Sequence, residues 1–128
     1  MILIDTDILV DVLRGYPPSV AWLEASSDET VLLPGFVMME AVDGCRNLEE
    51  QRRVEKFVDR FGLVWPEPPT CERALEVYLD EHLRSNIGIL DAVIGQMAVD
   101  LDLPLCTFNR KHYAAVPRLR VEEPYPKG

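Results

Sequence analysis

Apolar residues gather along this chain in two kinds of group, short unbroken runs and longer stretches spaced by threes and fours. The short runs cover residues 2–5, 30–33, 62–65, 103–107 and 119–122, and each reads as a strand bounded by turn-forming or polar residues. Between them the period lengthens. Val54, Phe57, Val58 and Phe61 recur at i, i+3, i+4 and i+7, which places them on one face of a helix closed by Gly62. Cys71, Ala74, Leu75, Tyr78, Leu79 and His82 make a second helical stripe, with Thr70 placed to cap it. Residues 90–101, LDAVIGQMAVDL, are apolar almost all round, as in a helix buried on every side. Prolines stand at the joints, at Pro17, Pro18, Pro34, Pro66, Pro68, Pro69 and Pro104. Strands that alternate with helices predict an α/β fold: three layers, with helices on both faces of a central, mainly parallel five-stranded sheet. There is no internal repeat, low-complexity segment or linker, so residues 1–128 read as a single domain.

Three carboxylates break the pattern. Asp5 ends the run ILI, Glu40 follows FVMM, and Asp91 follows IGIL. A strand that stops at Asp5 points this side chain out of the carboxyl edge of the sheet, where open α/β sheets hold their ligands. Asp5 and Asp91 each have a plainer role open to them, as helix N-caps. Glu40 lies past the first turn of its helical pattern, where an unpartnered buried charge is costly; the alternative is a water-facing stripe shared with Asp43 and Asn47. A fourth polar group, Asn109, follows the fourth strand candidate and so shares an edge with Asp5. A bound divalent cation is the simplest common reason for acids in such places.

Composition narrows the field. With 128 residues, 48% of them hydrophobic and 27% charged, the chain can bury a core of its own. No apolar stretch approaches the roughly 20 residues that span a bilayer, and the N-terminus lacks a signal-peptide pattern. Cys45, Cys71 and Cys106 are odd in number and far apart, which suits buried thiols in a reducing, cytoplasmic setting and neither a disulfide framework nor a zinc site. The net charge of −9 argues against non-specific nucleic-acid binding by the whole surface. Basic residues nevertheless cluster. Arg46, Arg52, Arg53, Lys56 and Arg60 interleave with acids, whereas Arg110, Lys111, Arg118 and Arg120 form an acid-free run suited to phosphate contact.

The opening LIDTDILVD, the Glu40 segment, the stretch ILDAVIGQMAVDLDLPLCTFNRKHYAAVP and the close RLRVEEP resemble the PIN-domain family. More closely, they are similar to the VapC-type toxin ribonucleases of toxin–antitoxin pairs, essentially from end to end. The resemblance implies a PIN-like fold whose acidic site falls on Asp5, Glu40 and Asp91, with Asn109 at a more variable fourth position. It also implies a divalent cation held by Asp5, Glu40 and Asp91, Mg²⁺ or alternatively Mn²⁺, an RNA substrate, a homodimer, and a cognate antitoxin that obstructs the acidic site. Two departures stand out. Asn109 replaces an acid found in some relatives and lowers the charge of the site, while Asp7, where many relatives have Asn, either adds a carboxylate or starts the following helix.

Mg²⁺ prefers hard oxygen ligands and usually takes one or two carboxylates directly, which assigns Asp5 and Asp91 as ligands and leaves Glu40 direct or water-mediated. No side chain reads as a covalent nucleophile, so the expected reaction is phosphodiester hydrolysis by metal-activated water. Thr107, Arg110, Lys111 and His112 are the candidate substrate contacts, and His82 reads as a core histidine on its apolar stripe. Two other functions stay open. A haloacid-dehalogenase-type phosphatase would use Asp5 and Asp7, but the chain ends too soon after Thr107 to carry that family's later lysine and paired aspartates. A catalytically weak PIN-like binding module is the other.

Overall fold

The computed structural model describes residues 1–27 and 30–127. The strands are β1 (Ile2–Ile4), β2 (Val31–Pro34), β3 (Gly62–Val64), β4 (Leu105–Cys106) and β5 (Val121–Glu122). Between them lie α1 (Thr6–Leu13), α2 (Pro17–Ala25), α3 (Gly35–Asp43), α4 (Leu48–Val58), α5 (Pro68–Glu81), α6 (Ile89–Leu101) and α7 (Arg110–Tyr113). All five strands pair in parallel in a single sheet of order β3-β2-β1-β4-β5. The expected five-stranded parallel sheet is therefore present, with each strand inside or within two residues of its predicted range.

The order fixes the layers. From β1 the chain steps outward to β2 and β3, then returns to the other side of β1 for β4 and β5. Right-handed crossovers in opposite directions put α1–α4 on one face and α5–α7 on the other. Packing agrees: α1 lies against α2 and α3, and α3 against α4, while α6 lies against α5 and α7. The strand order reverses between β1 and β4, so a crevice opens at their carboxyl ends. Leu3, Ile4, Leu33 and Leu105 from the strands, Ile8 and Leu9 from α1, and Ile94 and Met97 from α6 fill the core. With helices on both faces, the residues of the inner strands β1, β2 and β4 are mainly buried, which explains their unbroken apolar runs, whereas the edge strands β3 and β5 are largely exposed.

Several local expectations need correcting. Helix α4 ends at Val58, Asp59 takes its C-cap, and Gly62 opens β3 instead of closing the helix. Its start is set by Asn47, whose side chain accepts from the Glu50 N–H. Helix α5 begins with Pro68 and Pro69, whose missing N–H groups cost nothing in a first turn, and Thr70 lies inside the helix rather than capping it. Only part of the α5 stripe packs. Ala74 is buried against α6, whereas Cys71, Leu75 and Leu79 face water, as does Leu83 beyond the helix. His82 is exposed too, stacked on Tyr78 at 5.3 Å between ring centroids, and is not a core residue. Of the three thiols, Cys106 is buried, Cys45 half-buried and Cys71 exposed. On the far side of the sheet Gly95 in α6 is required by close packing. A Cβ there would come within 2.9 Å of Val116 and 3.3 Å of the Tyr113 ring.

Candidate active site

Asp5 leaves β1 at the switch point and enters α1 as its N-cap. One carboxylate oxygen accepts the Thr6 N–H at 2.8 Å and the other accepts the Thr107 hydroxyl at 2.9 Å. Thr107 follows β4, the neighbouring strand, so the two groups meet because β1 and β4 are adjacent. The Thr107 hydroxyl in turn accepts the Asn109 N–H at 3.0 Å. Its single proton goes to Asp5, which leaves the 3.4 Å approach to Asp7 without a second donor. Asp7 has its own partners, the Ile8 N–H at 2.9 Å and the Phe108 N–H at 2.8 Å. It therefore satisfies a free N–H in the first turn of α1, which Asp5 caps, and also pins the turn after β4 to α1.

Burial dominates the electrostatics. Asp5, only 4% exposed, has its pKa raised to about 6, first by loss of water and then by the charge of Asp7. The bonds from the Thr6 N–H and the Thr107 hydroxyl pull the other way, as does the nearby Tyr113 hydroxyl. Asp7 is also raised, mainly by burial, against the opposing N–H groups of Phe108 and Ile8. Two carboxylates so placed hold negative charge in a dry corner of the sheet, with no cation among the groups that act most on Asp5.

Glu40 and Asp91 arrive from opposite faces. Glu40, on α3, is exposed and accepts the Thr6 hydroxyl at 2.7 Å, so Thr6 holds Asp5 by its N–H and Glu40 by its side chain. Asp91 sits in the first turn of α6, where it accepts the Gly88 N–H at 3.0 Å, and His112 Nδ1 lies 3.8 Å from the same oxygen. The two acids and Asp5 meet around a residue that the sequence reading left unassigned, Tyr113. Its phenol is 1% exposed, and its pKa is pushed up by burial and then by the charges of Asp5, Asp91 and Glu40. Asp5, Glu40 and Asp91 are thus gathered within electrostatic reach of one buried hydroxyl. The signal for Tyr113 was faint: an aromatic four residues after Asn109, on the inner side of a short helix.

The remaining candidates divide. Asn109 is exposed at the N-terminus of α7, makes no side-chain capping bond, and contributes its backbone N–H to Thr107. Thr107 is fully buried and bonded to Asp5, so it orients a carboxylate and cannot itself touch a substrate. The basic run is not free of acids in space. Arg110 pairs with Glu123 at 3.0 Å and Arg120 with Asp102 at 3.2 Å. Lys111 and Arg118 form no ion pair among the described residues, and His112 is exposed beside Asp91. Glu40 also lines a cleft of about 730 Å³ between α1, α3 and α4, with Arg14, Arg46 and Arg53 on its walls.

Among the described residues no group of three His, Cys, Asp or Glu side chains stands close enough to hold a metal ion between them. The expected cage of three direct carboxylates is therefore looser than the sequence suggested. The donor chemistry still fits a hydrated divalent cation. Such an ion keeps several waters and needs only one or two carboxylates, and Asp5 offers hard oxygens with no cation among the groups that act most on it. Asp5 would be its direct ligand, with Asp91 and Glu40 the next acids within reach.

The fold is a parallel α/β sheet with acids at its switch point, and comparison gives the family. The PIN domain family model matches residues 2–119, and the chain belongs to that family. It is 29% identical over 122 residues to ribonuclease VapC10 of Mycobacterium tuberculosis, a match covering 94% of this chain and 91% of that protein. Its fold resembles a toxin–antitoxin complex chain from Klebsiella pneumoniae with a TM-score of 0.79 at 24% identity, covering 99% of this chain and all of that one. A chain of VapBC2 from Rickettsia felis, solved bound to a promoter DNA fragment, gives a TM-score of 0.78 at 21% identity, over 95% and 98% of the two chains.

Proposed function

We propose that this chain is the toxin ribonuclease of a VapC-type toxin–antitoxin pair and hydrolyses RNA phosphodiesters with water activated by a divalent cation, Mg²⁺ or Mn²⁺. The observation that carries the reading is the meeting of Asp5, Glu40 and Asp91 around Tyr113 at the carboxyl edge of β1 and β4. A cation bound there would acidify a coordinated water and neutralise charge on the phosphoryl oxygens. The chain's own residues do the positioning. Thr6 and Thr107 fix both oxygens of Asp5, and Thr6 also holds Glu40 toward the same spot. Asp91 is steadied by the Gly88 N–H. His112, beside Asp91 on the rim, is placed to meet a phosphate or base, with Lys111 and Arg118 as the cations available for the RNA backbone. Asn109 completes the edge without adding charge.

Cleavage of a structured RNA by the purified protein tests this directly. Activity is expected with Mg²⁺ or Mn²⁺, lost with EDTA, and reduced more than about a hundredfold by Asp5→Asn. Cleavage indifferent to EDTA would reject the metal reading, and RNA bound but never cut would favour the binding module. A phosphatase of the dehalogenase type would instead be abolished by Asp7→Asn. The two backbone N–H bonds that Asp7 accepts support a structural role, for which that change is expected to cost only part of the nuclease activity.

Two partners complete the proposal. An antitoxin is supported by the toxin–antitoxin assemblies among the structural relatives. Its blocking segment would bring an arginine or lysine to the uncompensated acids. A homodimer is supported by Leu75 and Leu79 on α5, joined by Leu83 just beyond the helix and by Ile89, all of them more than half exposed.

A further inference from the structure

We propose that the Tyr113 hydroxyl is a positioning group of the acid site, donating to Asp5 and thereby fixing how that carboxylate is presented to a divalent cation. The inference rests on the metal-dependent reading above and assigns a role to a residue outside the acidic set.

The first argument is burial without a partner. Tyr113 is among the largest fully buried side chains, yet its hydroxyl completes no well-formed hydrogen bond among the described residues. A buried hydroxyl left in that state forfeits its hydration for nothing, and native interiors keep few such groups without a functional reason. The second argument is placement. The ring is wedged against α6 where Gly95 permits a close approach, so the phenol has little freedom to turn elsewhere. Phenylalanine would fill this apolar volume equally well. What packing does not explain is the oxygen, which lies beside Asp5 and within reach of Asp91 and Glu40, groups that only accept when ionised.

Acceptor bookkeeping makes the consequence specific. A carboxylate offers about four acceptor positions, and Asp5 spends one on the Thr6 N–H and one on the Thr107 hydroxyl. A third bond from Tyr113 leaves a single direction open, pointing into the crevice. The carboxylate can then neither rotate nor bind in two ways, and a cation meets it in one orientation. Groups that orient a metal ligand in this manner typically change metal affinity about 10- to 100-fold when removed.

Tyr113→Phe in the full chain tests the role, with Mn²⁺ binding followed by electron paramagnetic resonance and melting followed with and without EDTA. The expected result is Mn²⁺ affinity weakened about tenfold or more, with a melting temperature in EDTA equal to or above that of the wild type. A purely structural tyrosine gives the opposite pair, a lower melting temperature in EDTA and unchanged Mn²⁺ affinity, and that outcome overturns the proposal. A second measurement needs no variant: the Tyr113 hydroxyl proton, sheltered by burial, is expected as a slowly exchanging resonance that shifts on addition of Mg²⁺. A resonance unmoved at saturating Mg²⁺ overturns the proposal as well. If the wild-type protein binds neither ion, the metal reading itself fails and takes this role with it, an outcome distinct from equal binding by wild type and variant.

Discussion

At the scale of the residue, Asp5 carries a cost that its neighbours only partly relieve. Its carboxyl is pushed up to about 6 in the folded chain from an ordinary 3.8, chiefly because it is buried. Between those values the folded state keeps a proton that the unfolded state has lost, so stability falls as pH rises through the window. Above about pH 6 the ionised, metal-free side chain costs on the order of 3 kcal/mol. Asp5→Asn is therefore expected to raise the melting temperature in EDTA at about pH 7.5, with the gain vanishing near about pH 4. A variant no more stable than wild type at the higher pH would show that the charge is not strained. Thr107→Val should act in the other direction. It strands the Asn109 N–H and removes a donor from Asp5, for a loss of about 1–3 kcal/mol measurable by denaturant unfolding. Asp5 was legible in the sequence because an acid at the end of an apolar run is conspicuous. Tyr113 was not, because an aromatic on an apolar face looks like any core residue until its oxygen has neighbours.

Among the elements, α5 shows how a helix is held when its apolar stripe is half unused. Ala74 packs on α6, but Leu75 and Leu79 face water, and polar bonds share the attachment. Asp100 of α6 accepts from Thr70 at 2.5 Å, from Gln96 at 2.9 Å and from Arg73 at 2.6 Å. The Arg73 hydrogen bond, opposed by partial burial and aided by Thr70 and Gln96, holds the Asp100 carboxyl down at about 2. A depressed acid contributes stability that is complete above the unfolded pKa and is lost as pH falls from 3.8 toward 2. Asp100→Ala is expected to destabilise at neutral pH by about 1–2 kcal/mol and to flatten the acid limb of the stability profile. Identical acid limbs in variant and wild type would remove this contact from the account. The periodicity of α5 was visible in the sequence, but not which half of the stripe α6 would cover. Helical spacing defines a face, and only the neighbour's position decides how much of that face is buried.

Across the whole molecule, the reversal of strand order between β1 and β4 creates the crevice, and the two layers bring acids to it from both sides. Glu40 comes from α3 on one face and Asp91 from α6 on the other. The leucines on α5 lie outside that arrangement. Replacing Leu75 and Leu79 together by glutamate is expected to convert the proposed dimer to a monomer in light scattering while leaving the fold intact, since both side chains are exposed. A dimer that survives the double change would place the interface elsewhere. The acid-free basic run illustrates the opposite limit of the sequence. Arg110 and Arg120 looked unpaired along the chain and found Glu123 and Asp102 in space.

The amino-acid sequence by itself determined five strands, their parallel alternation with helices, the family resemblance, and Asp5 and Asn109 at strand ends on one edge. These are local properties, because apolar period and run length report which face of an element is buried wherever it ends up. Tertiary structure alone decided that Asp91 returns to that edge, that Thr6 ties Glu40 to Asp5, and that Tyr113 sits among them. Those facts depend on the direction in which α5 and α6 carry the chain back to β4, a choice set by packing between residues distant in sequence that no short window of residues contains.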